Sequence, residues 1–278
     1  MERIQETIQD FINQKVQEEG YSGALIGLSG GIDSTNVAYL AANALGTSNV
    51  LGLTLTFPEQ IREDFKDSKE IAKHLGIEQK VIDISSLITA HGGIIPREII
   101  NNRTENPYLT LFERINSTIS LSWADTLNYL VLSSTNKTEF LTSFYSIGGN
   151  IGHIFHLGDL YKTEVRKLAE TLGIPKKIVT KVSRDGFMTR KSDEEIIGVS
   201  YEDIDRICYG IEFWEEPLKI EERTGISLAK IYEIQKRIKD SERKLSFPIC
   251  NIASSKRKDL LGRKNSLQQS SVTHYCGG

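Results

Sequence analysis

Residues 25–40 read LIGLSGGIDSTNVAYL: a short apolar run, a turn with two glycines between two serines and one carboxylate, then a segment with helical spacing. The run ALIGL (24–28) has the character of a buried strand, and Ser34 to Leu45 carries a helical stripe that ends at Gly46. In an open α/β sheet, ligands bind outside the carboxyl ends of the strands, and a glycine-rich first turn feeding a helix presents backbone N–H groups to an anion. Gly30 and Gly31 let the backbone approach oxygen atoms closely, and Ser29 and Ser34 add hydroxyls. Asp33 in such a cradle would repel phosphate unless it holds a divalent cation, so its presence points to magnesium bridging carboxylate and phosphates. The plainer reading is a strand-to-helix turn in which Asp33 favours the helix dipole. The stretch is not a P-loop, since no Gly-Lys-Ser/Thr follows, and it lacks the three spaced glycines of the dinucleotide pattern.

Outward from this turn the chain alternates. NVLGLTLTF (49–57) reads as a second strand, DFKDSKEIAKHLGI (64–77) as a helix closed at Gly76, and KVIDI (80–84) as a third strand. A helix over 112–128 precedes the strand YLVLSS (129–134), and YKTEVRKLAETLGIP (161–175) is a helix stopped by Gly173 and Pro175. The alternation predicts an α/β fold, a doubly wound parallel sheet covered by helices on both faces. Beyond residue 200 the pattern becomes mainly helical, at YEDIDRICYGIE and over 226–243. We expect one domain over 1–260 and a flexible tail over 261–278.

Composition narrows the function classes. A chain of 278 residues with 39% hydrophobic and 26% charged residues is ordinary for a globular protein, and a net charge of −3 supplies no basic field for nucleic acid. The first 20 residues lack the apolar core of a signal peptide; Ile4, Ile8, Phe11, Ile12 and Val16 recur at helical spacing, as in an amphipathic helix of a cytoplasmic protein. No membrane association is expected. Cys208, Cys250 and Cys276 show neither disulfide nor zinc spacing.

SGGIDS after an apolar strand resembles the signature loop of the ATP pyrophosphatases, which cleave ATP between the α and β phosphates. Three further segments narrow the resemblance to the ammonia-dependent NAD synthetase family: YLVLSSTNKTE (129–139), LGDLYKTEVRKLAETLGIP (157–175) and SDEEIIGVSYEDID (192–205). SSKR (254–257) is similar to that family's C-terminal His-Lys-Arg. The resemblance spans roughly residues 1–260 and implies an adenine nucleotide alpha hydrolase-like fold with a helical C-terminal portion.

Transferred position by position, the resemblance places Gly27, Leu28, Ser29, Gly30, Gly31, Ile32, Asp33 and Ser34 on the pyrophosphate loop, with Asp33 and Glu139 as magnesium ligands. Lys162 falls on a lysine that contacts ATP phosphate, Ser134 on a threonine slot whose hydroxyl meets ATP, and Arg184 in a loop that touches ATP and substrate. Arg114 falls on an arginine that helps hold the acid substrate, and Lys256 keeps the lysine of the C-terminal motif. The departures gather on the acid side. Asn116 stands where a second arginine is expected, SIGGNIGHIF (146–155) replaces a Tyr-Gly-Asp-Gly stretch, placing Asn150 and His153 near the substrate, and VSRDGF (182–187) replaces a Pro-Thr/Ser-Ala segment.

The implied chemistry is adenylation of a carboxylate, most simply nicotinic acid adenine dinucleotide, followed by aminolysis with ammonia to give NAD and AMP. No general base is assigned, because positioning and charge stabilisation suffice for such phosphate chemistry. No stretch remains for a glutaminase domain, so the nitrogen is expected as free ammonia or from a separate glutaminase. The family resemblance also implies a homodimer. Two other readings stay open: an amide ligase of the same family acting on another carboxylate, such as a sugar acid or secondary metabolite, and a non-catalytic nucleotide-binding protein.

Overall fold

Strand β1 (Gly23–Gly27) is buried from Gly23 through Ile26, and its side chains divide between two cores: Ala24 and Ile26 enter one, Leu25 the other. A parallel strand covered on both faces needs this apolar continuity. The computed structural model describes residues 1–57, 62–92, 107–142, 144–149, 152–184, 192–213 and 215–245. In it β1 lies between β2 (Val50–Thr56) and β4 (Tyr129–Leu132), with β3 (Glu78–Asp83) outside β2. All pairings are parallel, and Leu25 sits in register with Leu51 on one side and Val131 on the other. Ile154 extends the sheet by a single parallel bridge to Leu132.

The strand order reverses at β1. Connections from β1 run through β2 to β3, and the chain then returns to place β4 on the opposite flank, so the topological switch point, the crevice position of doubly wound sheets, lies between β1 and β4. Helices α1 (Glu2–Glu18), α2 (Ile32–Leu45), α3 (Arg62–Leu75) and α7 (Lys162–Thr171) pack their apolar faces into the first core. Helix α5 (Pro107–Leu127) and the shorter α4 (Ser85–Gly92) cover the second. This is the doubly wound parallel sheet expected from the sequence. Ile8, Ile12 and Val16 are buried as their spacing predicts, while Phe11, at the stripe's margin, is 37% exposed.

A third apolar cluster joins α9 (Asp193–Ile197), α10 (Tyr201–Glu212), α11 (Pro217–Thr224) and α12 (Leu228–Leu245) around Ile204, Ile207, Ile220, Ile231 and Ile234. Tyr161, just before α7, belongs to it and ties the helical portion to the sheet. Two short helices, α6 (Lys137–Leu141) and α8 (Lys176–Val179), lie between these elements among the described residues. Met1–Lys244 forms one compact unit; of the separate stretch Leu245–Gly278 only Leu245 is among the described residues. Among the described residues no helix is long and apolar enough to cross a membrane.

Candidate active site

The turn after β1 is built to hold its backbone open. Gly30 has φ +86, and a Cβ there would overlap the Asp64 carbonyl oxygen and stand 3.0 Å from the Ser68 nitrogen. Only glycine combines that dihedral with so close an approach of α3. The hydroxyls brace the turn from within: Ser29 and Ser34 Oγ lie 3.0 Å apart, Gly31 N–H donates to Ser29 Oγ at 3.2 Å, and Ser34 Oγ donates to the Gly31 carbonyl at 3.1 Å. Gly31 is the N-cap of α2 and has no side chain to cap it. The first N–H groups of a 14-residue helix therefore face the crevice with the positive end of its dipole.

Four side chains from three distant segments meet at this helix start. The Asp33 carboxylate pairs with the Lys162 ammonium at the start of α7 and accepts a hydrogen bond from Asn136 Nδ2 at 3.0 Å. Glu139 Oε1 lies 3.8 Å from Lys162 Nζ. Asn136 organises the pair. Its side chain caps α6 by accepting from Glu139 N–H at 3.0 Å, and its own N–H donates to Glu139 Oε2 at 3.1 Å, a complete capping box. Asn136 thus fixes both the carboxylate on its own helix and the one across the crevice.

Electrostatics follow from burial. The Lys162 side chain is 1% exposed and those of Asp33 and Glu139 are 18%. Burial, and then the neighbouring Asp33 carboxylate, push the Glu139 carboxyl up to about 8. Burial alone would lower Lys162, but Asp33 and Glu139 outweigh it and hold its ammonium above the ordinary lysine value. The Tyr201 ring lies 5.2 Å beneath that ammonium, and its hydroxyl donates to Asp193 Oδ2 at 2.9 Å, placing a third buried acid in the neighbourhood. Among the described residues no three His, Cys, Asp or Glu side chains gather into a full metal cage. Asp33 and Glu139 instead offer two hard-oxygen donors, and a carboxyl whose ionisation a like charge resists is one that a cation would stabilise.

The remaining sequence-derived residues fall in different places. Ser134 is half-buried in the turn after β4, on the same carboxyl edge of the sheet. Arg114 is exposed on α5, its Nε donating to the Ile147 carbonyl at 3.0 Å. Arg184 is exposed three residues beyond Lys181, whose ammonium reaches the Gly30 carbonyl at 3.2 Å and pairs with Asp64 and Asp67, each at 2.6 Å. His153 is not brought to the cluster. Its Nδ1 accepts the Val131 N–H at 2.9 Å and its ring stacks on Tyr21, which precedes β1 at the opposite end of that strand. The imidazole takes the place of a carbonyl that a full edge strand would offer. Asn150 and Lys256 lie outside the described residues.

Sequence reasoning passed over Asn136, Lys181 and the Asp193–Tyr201 pair. The Asn-x-x-Glu spacing of a capping box was a readable signal for the first; the reach of Lys181 to Gly30 and of Tyr201 to Lys162 depends on contacts between distant segments. A family model described as NAD synthase matches residues 4–248. The NH(3)-dependent NAD(+) synthetase of Thermococcus kodakarensis is 35% identical over 246 residues, covering 88% of this chain and 94% of that protein. The solved NH3-dependent NAD synthetase from Campylobacter jejuni is 26% identical with a TM-score of 0.75, covering 90% of this chain and 99% of that one. An NMN synthetase structure from Francisella tularensis, 23% identical, has a TM-score of 0.77 over 90% of this chain and 98% of its own, and speaks for the fold alone. That fold is the adenine nucleotide alpha hydrolase-like one, and the chain belongs to the NAD synthase family.

Proposed function

We propose that this carbon–nitrogen ligase converts nicotinic acid adenine dinucleotide, ATP and ammonia into NAD, AMP and pyrophosphate. The observation that carries the reading is the Asp33–Lys162–Glu139 cluster at the uncapped start of α2, in a chain 35% identical to an NH(3)-dependent NAD(+) synthetase. An oxygen of the substrate carboxylate attacks the α-phosphorus, the bond to the bridging oxygen breaks, and pyrophosphate leaves with the electron pair. Ammonia then attacks the acyl carbon, AMP departs, and the surplus proton passes to solvent. The N–H groups of α2 and the Lys162 ammonium stabilise the charge gathering on pyrophosphate, in a site that is already buried and oriented.

Asp33 and Glu139 suit Mg2+, which is commonly held by one or two carboxylates together with substrate phosphates and water. When bound there, the ion supplies neutralisation of phosphate charge. Lys181 holds the Gly30 carbonyl toward itself, which turns that oxygen away from the anion. We further propose a cytoplasmic homodimer supplied with free ammonia or with ammonia from a separate glutaminase.

A second reading, an amide ligase acting on a different carboxylate, is favoured by one feature. Asn116 lies beside Gly27, about where a Cβ would touch it at 3.9 Å, and brings no positive charge to the acid side of the crevice. Incubation with ATP, Mg2+, ammonium and nicotinic acid adenine dinucleotide tests both. NAD and AMP in equal amounts support the first reading. Pyrophosphate release without NAD favours the second, and the absence of AMP and NAD alike overturns the proposed activity on this acid.

A further inference from the structure

Helix α10 turns two acidic residues toward the start of the site helices. Asp205, 6% exposed, accepts a hydrogen bond from Thr138 Oγ1 at 2.5 Å through one carboxylate oxygen and from the Thr163 N–H at 2.8 Å through the other. Thr138 Oγ1 in turn accepts the Lys162 N–H at 2.9 Å, so its hydroxyl is fixed from both sides. Seven residues later, two turns along the same face, Glu212 accepts from the Lys137 ammonium at 2.6 Å and the Tyr161 hydroxyl at 2.5 Å. Each carboxylate therefore joins the beginning of α6 to the beginning of α7. The residues they grip, Lys137 and Thr138 on one side and Tyr161 and Thr163 on the other, flank Glu139 and Lys162.

Packing alone does not call for an acid at this position. Helix α10 is already anchored by Ile204, Ile207 and Cys208 in the third apolar cluster. An apolar residue of similar volume would bury there without the desolvation penalty of a carboxylate. What a carboxylate adds is direction: two fixed acceptors that hold one hydroxyl and one helix N–H at a set separation. We propose that Asp205 is a positioning residue that sets the spacing of Glu139 and Lys162 across Asp33, and with it the grip of the site on metal-bound ATP, with Glu212 as a weaker outer tie. The proposal rests on the ATP-dependent reading above and deepens it.

The test uses the full chain with Asp205→Ala, Asp205→Asn and Glu212→Gln. Calorimetric titration with ATP in the presence of Mg2+ gives Kd, steady-state assays give KM for ATP and for the acid, and thermal melting reports folding. For Asp205→Ala we expect Kd and KM for ATP to rise about 10- to 100-fold, the range seen when partners of ligating residues are removed, with KM for the acid held within about 2-fold. Asp205→Asn, which keeps an acceptor for Thr138 but sets an amide against the Thr163 N–H, should fall between. Glu212→Gln should change Kd by less than about 3-fold, because its pairs are partly solvated.

A folded Asp205→Ala protein with unchanged Kd overturns the proposal, even if it melts lower, since Asp205 would then serve architecture alone. If Asp205→Ala does not fold, an unchanged Kd in Asp205→Asn overturns it equally. A wild-type protein that binds Mg·ATP but makes no NAD overturns the choice of acid and leaves this test intact; one that binds no Mg·ATP overturns both.

Discussion

Replacing Gly30 by alanine tests the seating of the loop against α3. Two costs add. At φ +86 an L-residue sits in the left-handed region, which costs about 1–2 kcal/mol. The new methyl group would also overlap the Asp64 carbonyl oxygen, a backbone atom of α3 that cannot swing aside, and forcing such an overlap costs about 1–3 kcal/mol. The expected loss is thus about 2–5 kcal/mol, a large share of the roughly 5–15 kcal/mol that holds a typical domain folded. Gly20→Ala is the control. Its φ is +73, but nothing lies within 4 Å of the added Cβ, so only the dihedral cost of about 1–2 kcal/mol applies. Urea denaturation of both variants gives the difference, read at unchanged slope. Calorimetry with ATP adds the functional consequence, weakened binding as the loop's N–H groups shift. If Gly30→Ala is no less stable than Gly20→Ala, α3 is not seated on the loop and the account of the cradle fails.

Asp33→Asn should reduce AMP formation by about 100-fold or more, because an amide neither pairs with Lys162 as an anion nor supplies a charged metal donor; an unchanged rate removes the assignment. His156 offers a pH test. Both its ring nitrogens are buried without a hydrogen-bond partner among the described residues, and burial holds its pKa down at about 3. Between that value and the unfolded value of about 6.5, the unfolded chain binds the extra proton, so stability rises with pH through this window and is about 2–3 kcal/mol lower at pH 4.5 than above 6.5. His156→Leu should flatten that slope, and an identical slope in the variant would refute the attribution. Light scattering should give about twice the chain mass of 31.2 kDa; the single-chain mass at micromolar concentration would contradict the dimer.

The sheet and its first turn were legible because their signals are local. An apolar run, a glycine pair and a helical stripe lie within 25–45, and each follows from side-chain period and dihedral freedom. The short helices α6, α9 and α11 were less readable, since five to eight residues span too few turns to display a period. Of the site, Asp33 was readable from the chemistry of its own turn, and Glu139 and Lys162 through motif resemblance, but their meeting depends on strand order. His153 shows the converse. Its glycine-rich segment gave the expectation of a place near the substrate; the contact it makes, accepting a main-chain N–H at the sheet edge, is invisible until the strand order is known. Asp205 sits in an amphipathic stripe where acids ordinarily face solvent, and only the packing of α10 on α6 and α7 turns it inward.

The cluster's partners are remote along the chain: Asp33 and Lys162 are 129 positions apart, and Asp33 and Asn136 are 103. Closing loops of that length is an entropic cost that must be met before the contacts can reward it. The proposed nucleotide site should accordingly be among the last features to assemble during folding. Ligand affinity then serves as an assay of completed topology, and a nascent chain halted short of residue 162 would own the glycine-rich turn yet lack the means to use it.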